Sequence, residues 1–103
     1  MSIKSICKTQ VVTIERGSSL KDVSELMHKQ HVGSIVVTEG FNGKKIPCGI
    51  ITDRDIALTL AASLKPQDLR VDQIMQSQPI TVKTSESIFQ TIVKMREYGI
   101  KRL

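Results

Sequence analysis

The chain has 103 residues, enough for one compact domain with a modest core. Apolar residues make up 40% of the chain and charged residues 24%, an ordinary globular composition that excludes an intrinsically disordered protein. The net charge of +5 suits an anionic ligand, but the basic residues are scattered and only 3% of residues are aromatic, so a stacking platform for single-stranded nucleic acid is disfavoured.

The sequence also bears on the cellular compartment. No stretch has the length and apolarity that a membrane span requires, and the first residues lack the apolar run of a secretory signal. Cys7 and Cys48 lie far apart, without a CxxC pair, and indicate reduced thiols. We therefore expect a cytoplasmic protein.

Residues 11–38 predict a strand, a helix and a second strand. The β-branched run Val11–Ile14 is typical of a strand. Ser19 followed by Asp22 resembles a capping box, and apolar residues recur after it with helical spacing, which predicts a helix over 19–30. After Gly33, residues 34–38 form an apolar run that predicts a buried strand.

Residues 40–75 predict a hairpin followed by two helices. The turn-rich segment Gly40–Lys45 joins the second strand to a third over 48–52. Thr52 and Asp55 again have capping-box spacing and open a helix that ends at Pro66. One face of this helix is predicted to be apolar through Ile56, Leu60 and Leu64. Residues 69–75 predict a short connecting helix.

The pattern then restarts. A shift of 68 residues places Thr81 on Thr13, Ser87 on Ser19 and Met95 on Met27 without a gap, and apolar positions match as well. The sequence thus predicts a first βαββα repeat over 7–66, a linker with a short helix over 67–77 and the start of a second repeat over 78–103. The second copy stops before a counterpart of Gly49–Leu64.

The segment Gly49–Asp55 carries the most chemical information. It joins a strand end to a helix start, where unpaired backbone N–H groups and a partial positive charge suit a phosphate. The Thr52 hydroxyl and the Arg54 guanidinium would add hydrogen bonds to it. The Asp55 carboxylate accepts hydrogen bonds and suits the vicinal diol of a ribose.

The same spacing has a purely structural interpretation, in which Thr52 and Asp55 cap their own helix. The spacing alone supports the structural interpretation and the ligand-binding interpretation equally. The repeat favours the functional one, because two copies of a small unit that face each other create a cleft, and clefts are favoured ligand sites.

These motifs together resemble the cystathionine β-synthase (CBS) domain. The resemblance covers about residues 7–103 and rests on Val12–Ile14, Leu20–Val23, Met27, Gly49–Ile56 and the linker Val71–Met75 leading to Pro79–Val82. It implies an α/β fold in which paired βαββα units form a pseudo-two-fold module. It also implies an adenosine nucleotide (AMP, ADP or ATP) or S-adenosylmethionine bound between the repeats.

The resemblance also implies roles for particular residues. Thr52 matches a phosphate-contacting hydroxyl, Asp55 a ribose-binding carboxylate, and Arg54 and Arg102 match basic positions near phosphates. Positions near the base and ribose are matched by Thr13, Ile14, Ser34, Ile35 and Ile50. Two features depart from the family pattern. The second strand lacks the proline that the family often has before the last valine of this strand. The second copy lacks its own counterparts of Thr52 and Asp55, so this chain carries those two residues for one site only.

Other chemistries find less support in the sequence. Asp53 and Asp55 point in different directions from a helix start, and His28 and His31 lie at a helix end without other metal-ligand types, so we expect no metal site. Ser18 and Ser19 have no evident base partner, so nucleophilic catalysis has no support and we expect no enzyme.

We therefore predict a regulatory module that binds an adenosine-containing nucleotide and forms a homodimer, without a membrane or nucleic-acid partner. Two alternatives stay open. The chain could be a dimerisation or interaction module that needs no ligand, or the regulatory part of a larger enzyme or transporter.

Overall fold

The structure is a computed structural model that describes residues 11–62, 65–77, 85 and 87–98. The chain divides into two compact units, one over Val11–Gln78 and one formed by the remaining residues. The larger unit is mixed α/β with a four-stranded sheet, which confirms the predicted fold class. Its strands follow the order β1-β2-β3-β4, with β1 parallel to β2 and the other neighbours antiparallel.

The larger unit contains eight elements in chain order. They are β1 (Thr13–Glu15), α1 (Leu20–Gln30), β2 (Ser34–Phe41), β3 (Lys44–Thr52), α2 (Asp53–Ala62), a 3₁₀ turn (Pro66–Asp68), α3 (Val71–Ile74) and β4 (Gln76–Ser77). The prediction of a strand-helix-strand-strand-helix order is confirmed. The prediction missed β4, which pairs with β3 at Gly49 and Ile50.

Local capping sets both ends of α1. Ser19 has extended backbone, and its side-chain oxygen accepts a hydrogen bond from the Asp22 N–H at 3.1 Å. The helix ends at His31, whose φ of 54° is left-handed and whose N–H donates to the Met27 carbonyl. The predicted helix over 19–30 is confirmed.

The hairpin between β2 and β3 is tighter than predicted. Asn42 and Gly43 have φ values of 50° and 76°, as a two-residue type I′ turn requires. The strands therefore continue to Phe41 and from Lys44, and the prediction of a connection over 40–45 was wrong in extent. Near the other end of the hairpin, Val37 pairs with Gly49 and Thr38 with Pro47, which leaves Cys48 as a bulge residue.

The core lies between α1 and one face of the sheet, and α3 closes it. Its buried hydrophobic residues are Leu20, Val23, Met27, Ile35, Val37, Ile51 and Val71. Val71 comes from the segment predicted as a linker, so the connecting helix packs with the first repeat. Ile56 is only half-buried and Leu60 is 61% exposed, so the predicted apolar face of α2 does not pack into this core at Leu60. Leu64 lies outside the described residues.

In the second unit, α4 spans Ile88–Tyr98. Ser87 and Gln90 form a reciprocal capping box, with both bonds at 3.1 Å. The buried Thr91 donates its hydroxyl hydrogen to the Ser87 carbonyl at 2.9 Å. Ser87 thus begins α4 as Ser19 begins α1, at the position that the internal repeat predicts. Residues 78–84 of the second repeat lie outside the described residues.

Candidate functional site

The sheet has two chemically different faces. Ile35, Val37 and Ile51 point to α1 and are buried. Their strand neighbours point the other way because successive side chains in a strand alternate. The register places these neighbours side by side, with Ser34 opposite Thr52, Val36 opposite Ile50, and Thr13 opposite Val36. We call Thr13, Ser34, Val36, Ile50 and Thr52 the α1-distal face, and all five are half-buried.

The site residues predicted from the sequence divide between the two faces. Thr13, Ser34, Ile50 and Thr52 meet on the α1-distal face. Ile14 packs against the core, and Ile35 is 1% exposed within it, so their side chains lie on the opposite side of the sheet. Val36 also lies on the α1-distal face, and the sequence analysis did not single it out, although its two-residue spacing from Ser34 was the available signal.

Thr52 and Asp55 form a reciprocal capping box at the start of α2. The Thr52 N–H donates to Asp55 Oδ2 at 2.8 Å, and the Asp55 N–H donates to Thr52 Oγ1 at 3.2 Å. The structural interpretation of this spacing is therefore confirmed. These bonds use one carboxylate oxygen and one hydroxyl lone pair, so Asp55 Oδ1 and the Thr52 hydroxyl hydrogen are not consumed by the cap.

The backbone at the start of α2 differs from the prediction. The Asp53 N–H donates to the Gly33 carbonyl at 3.0 Å, and the Arg54 N–H donates to Asp53 Oδ1 at 2.8 Å. With the Asp55 N–H on Thr52, all three of these N–H groups have protein partners. The expectation that these N–H groups are unpaired was wrong, because the Gly33 carbonyl and the side chains of Asp53 and Thr52 accept their hydrogen bonds.

Charge around this helix start is mixed. Asp53 and Asp55 bring two carboxylates, and Arg54 brings one exposed guanidinium. A phosphate bound here would need side-chain donors, of which Arg54 and the Thr52 hydroxyl are the nearest by sequence. The other predicted cation, Arg102, lies outside the described residues.

Gly49 serves the packing of the protein itself. A Cβ built at this position would overlap Met75 Sδ and lie 3.1 Å from the Gln76 carbonyl oxygen. The segment after α3 therefore approaches the Gly49 backbone closely. The glycine allows that segment to lie against β3.

Among the described residues, the remaining titratable groups do not gather into a cluster. Across residues 11–62, 65–77 and 87–97, no group of three His, Cys, Asp or Glu side chains could hold a metal ion. Burial raises the pKa of the Cys48 thiol, and the Glu39 carboxylate adds to this effect. In the part of the chain that the structure describes, no helix is long and apolar enough to cross a membrane.

Comparison with known proteins identifies the family. The sequence profile of the CBS domain matches residues 3–62 and 71–103, so the chain belongs to the CBS domain family. The CBS domain-containing protein YhcV of Bacillus subtilis is 28% identical over 102 residues, which cover 99% of this chain and 70% of that protein. An uncharacterised protein of Methanopyrus kandleri is also 28% identical, and the chain covers 52% of it.

Solved structures share the fold. A CBS domain protein from Pyrobaculum aerophilum, complexed with AMP, superposes with a TM-score of 0.84 at 27% identity over 98% of this chain and 75% of that one. The CBS domain pair of protein MJ0100, in complex with 5′-methylthioadenosine and S-adenosyl-L-methionine, gives a TM-score of 0.80 at 25% identity. This match covers 97% of the present chain and 75% of the other.

Proposed function

We propose that this chain is a regulatory module that binds an adenosine-containing ligand beside the start of α2. The supporting observation is that polar and apolar side chains converge on the α1-distal face in a family whose similar structures hold AMP, methylthioadenosine or S-adenosylmethionine. The ligand would act by binding one conformation or assembly state more tightly than another. We place this module in the cytoplasm and assign it no catalytic step.

Each side chain has a separate part in this proposal. Asp55 Oδ1 would accept hydrogen bonds from the ribose diol, while Oδ2 continues to cap α2. The Thr52 hydroxyl and Arg54 would donate to a phosphate or another polar substituent. Thr13 and Ser34 would supply hydrogen bonds to the nucleoside, and Val36 and Ile50 an apolar surface for the base. Arg102 is assigned to a phosphate through the family resemblance alone.

Calorimetric titration with AMP, ADP, ATP, methylthioadenosine and S-adenosylmethionine tests the proposal. We expect at least one of them to bind. Asp55→Asn keeps an oxygen that can accept from the Thr52 N–H but removes the charge, so it should weaken binding about tenfold or more while unfolding changes little. Thr52→Ser keeps both the cap and the hydroxyl and is the matched control, with near-native binding.

Two results would contradict this proposal. One is that none of the five compounds binds. The other is that Asp55→Asn lowers stability and affinity in step, because the carboxylate then acts through the fold rather than on the ligand. Denaturant unfolding of the same variants without ligand separates these effects.

A second candidate function is assembly without a ligand. It is favoured by the exposed apolar side chains on α4, whose largest member, Phe89, is 76% exposed.

The chain spans 70% of its Bacillus relative and about half of the Methanopyrus protein, so a role as the regulatory part of a longer protein is a further proposal.

A further inference from the structure

Strand β4, which the sequence did not predict, adds a side chain beside the α1-distal face. Gln76 pairs directly with Ile50 in the antiparallel ladder of β3 and β4. Residues that pair directly in such a ladder project to the same side of the sheet, and Ile50 belongs to the α1-distal face. The Gln76 side chain therefore projects from the same side of the sheet as Ile50, and Gln76 is exposed.

Gln76 ends a row of side chains that crosses all four strands. The register aligns Thr13 with Val36, Val36 with Ile50, and Ile50 with Gln76. Neighbouring strands lie about 4.8 Å apart, so two apolar side chains stand at the centre of the row and one polar side chain at each end. This arrangement suits a flat base that rests on Val36 and Ile50 and offers its polar edge to one end of the row.

The position of α2 indicates which end of the row is nearer to the proposed ligand. Thr52 ends β3, and Asp55 follows in the first turn of α2, so the proposed ribose and phosphate contacts continue from β3. Gln76 lies on the strand next to β3, whereas Thr13 lies two strands away. A nucleoside with its ribose at Asp55 and its base on Ile50 would therefore have Gln76 as the nearer polar end.

The chemistry of the Gln76 amide matches the edge of adenine. A primary amide carries a donor and an acceptor side by side, and adenine offers an amino group beside an acceptor ring nitrogen, so the two can form a pair of hydrogen bonds. Gln73 and Gln90 use their side-chain oxygens to accept from backbone N–H groups at helix starts. Within the described part of the chain, no hydrogen bond engages the Gln76 side chain.

We propose that Gln76 binds the polar edge of the adenine and is a specificity-determining residue of the ligand site. This inference rests on the proposed function and adds a contact from β4. Replacement by glutamate changes the hydrogen bonds that this position can make, because a carboxylate only accepts. It can accept from the adenine amino group but faces the lone pair of the ring nitrogen. Guanine, in contrast, offers it two donors, the ring N1–H and the amino group.

Calorimetric titration of Gln76→Glu with AMP and GMP tests this role. The preference for AMP over GMP, measured as the ratio of the two Kd values, should fall about tenfold from that of the native chain. Both nucleotides carry the same phosphate, so its repulsion by the new carboxylate cancels from the ratio. Gln67→Glu is the matched control, because it makes the same charge change at an exposed residue of the 3₁₀ turn and should leave the ratio unchanged.

A second variant tests the contact without a change of charge. Gln76→Met keeps a long side chain but removes the amide, so it should weaken by about tenfold whichever of the five adenosine compounds bind the native chain, since all five carry adenine. Denaturant unfolding should show native stability for every variant.

The outcomes separate this inference from the proposed function. If the native chain binds adenosine compounds, but Gln76→Met leaves their affinities and Gln76→Glu leaves the AMP-to-GMP ratio unchanged, the role of Gln76 is overturned and the ligand site stands. If the native chain binds none of the five compounds, the proposed function fails, and the role of Gln76 fails with it.

Discussion

Thr52 and Asp55 cap α2, and we propose that the same two side chains also contact the ligand. Their side chains cap α2 through two reciprocal hydrogen bonds, and each retains hydrogen-bonding capacity outside the cap. Spacing in the sequence predicts the cap and the ligand contact equally well. The hydrogen bonds of the structure distinguish the two, because they confirm the cap. They also show that the first three N–H groups of α2 already have partners within the protein. A ligand bound at this helix start would therefore have to be recognised by side chains.

Gly49 allows a test of packing at the scale of one methyl group. Because an added Cβ would overlap the Met75 side chain, we expect Gly49→Ala to lower the free energy of unfolding by about 1–3 kcal/mol. Denaturant unfolding measures this loss. Met75→Ala should remove much of the penalty in the double variant. Gly40→Ala is the matched control, because no atom lies within 4 Å of a Cβ there, and a comparable loss in Gly40→Ala would contradict this explanation.

Cys48 should make stability depend on alkaline pH. Desolvation and then the Glu39 carboxylate raise the pKa of its thiol in the folded protein above the ordinary value of 9.0. The folded state therefore favours the neutral thiol, and this stabilisation is complete below 9.0 and declines as pH rises through the folded pKa. The stability difference between the native chain and Cys48→Ala should be flat near neutral pH and fall above 9.0. A difference that grows with pH would have the wrong sign.

At the scale of elements, the sequence predicts most accurately those helices and strands whose bounds are set by capping residues and apolar periodicity. Capping residues and apolar periodicity predicted α1 closely, and the internal repeat predicted that Ser87 begins α4. The hairpin strands were predicted too short, because Glu39, Lys44 and Lys45 are exposed polar residues that do not continue the apolar pattern. β4 was missed because Gln76 and Ser77 have no strand signal of their own and pair with β3 through tertiary placement. The division of site residues between two sheet faces was available from alternation.

The connecting helix α3 packs against the core of the first predicted repeat. Val71 is fully buried, and its N–H donates to the Ser18 carbonyl at 2.8 Å, so this short helix is anchored to the loop before α1. We expect Val71→Ala to cost about 2 kcal/mol of unfolding free energy. Leu58→Ala is the control on an exposed position and should change stability little. Equal effects in denaturant unfolding would show that Val71 does not anchor the helix.

At the scale of the whole molecule, the larger unit carries two surfaces with different chemistry. The α1-distal face combines hydroxyl groups with Val36 and Ile50 and lies on the side of the sheet opposite the α1 core. An apolar groove between α1 and α2, which we call the α1–α2 groove, lies on the helical side of the same unit. The residues that line it do not include any of the proposed ligand residues. The net charge of +5 favours the approach of an anionic nucleotide to the protein as a whole.

The most direct test of the proposed nucleotide site is a titration of the ¹⁵N-labelled chain with AMP, followed by measurement of the amide NMR shifts. We predict saturable shifts that are largest at the α1-distal face and the start of α2, from Thr13, Ser34 and Val36 to Thr52 and Asp55. The tip of the β2–β3 hairpin around Asn42 should change little and serves as an internal control. Saturable shifts confined to the α1–α2 groove, or no shifts at all, would contradict the proposed site.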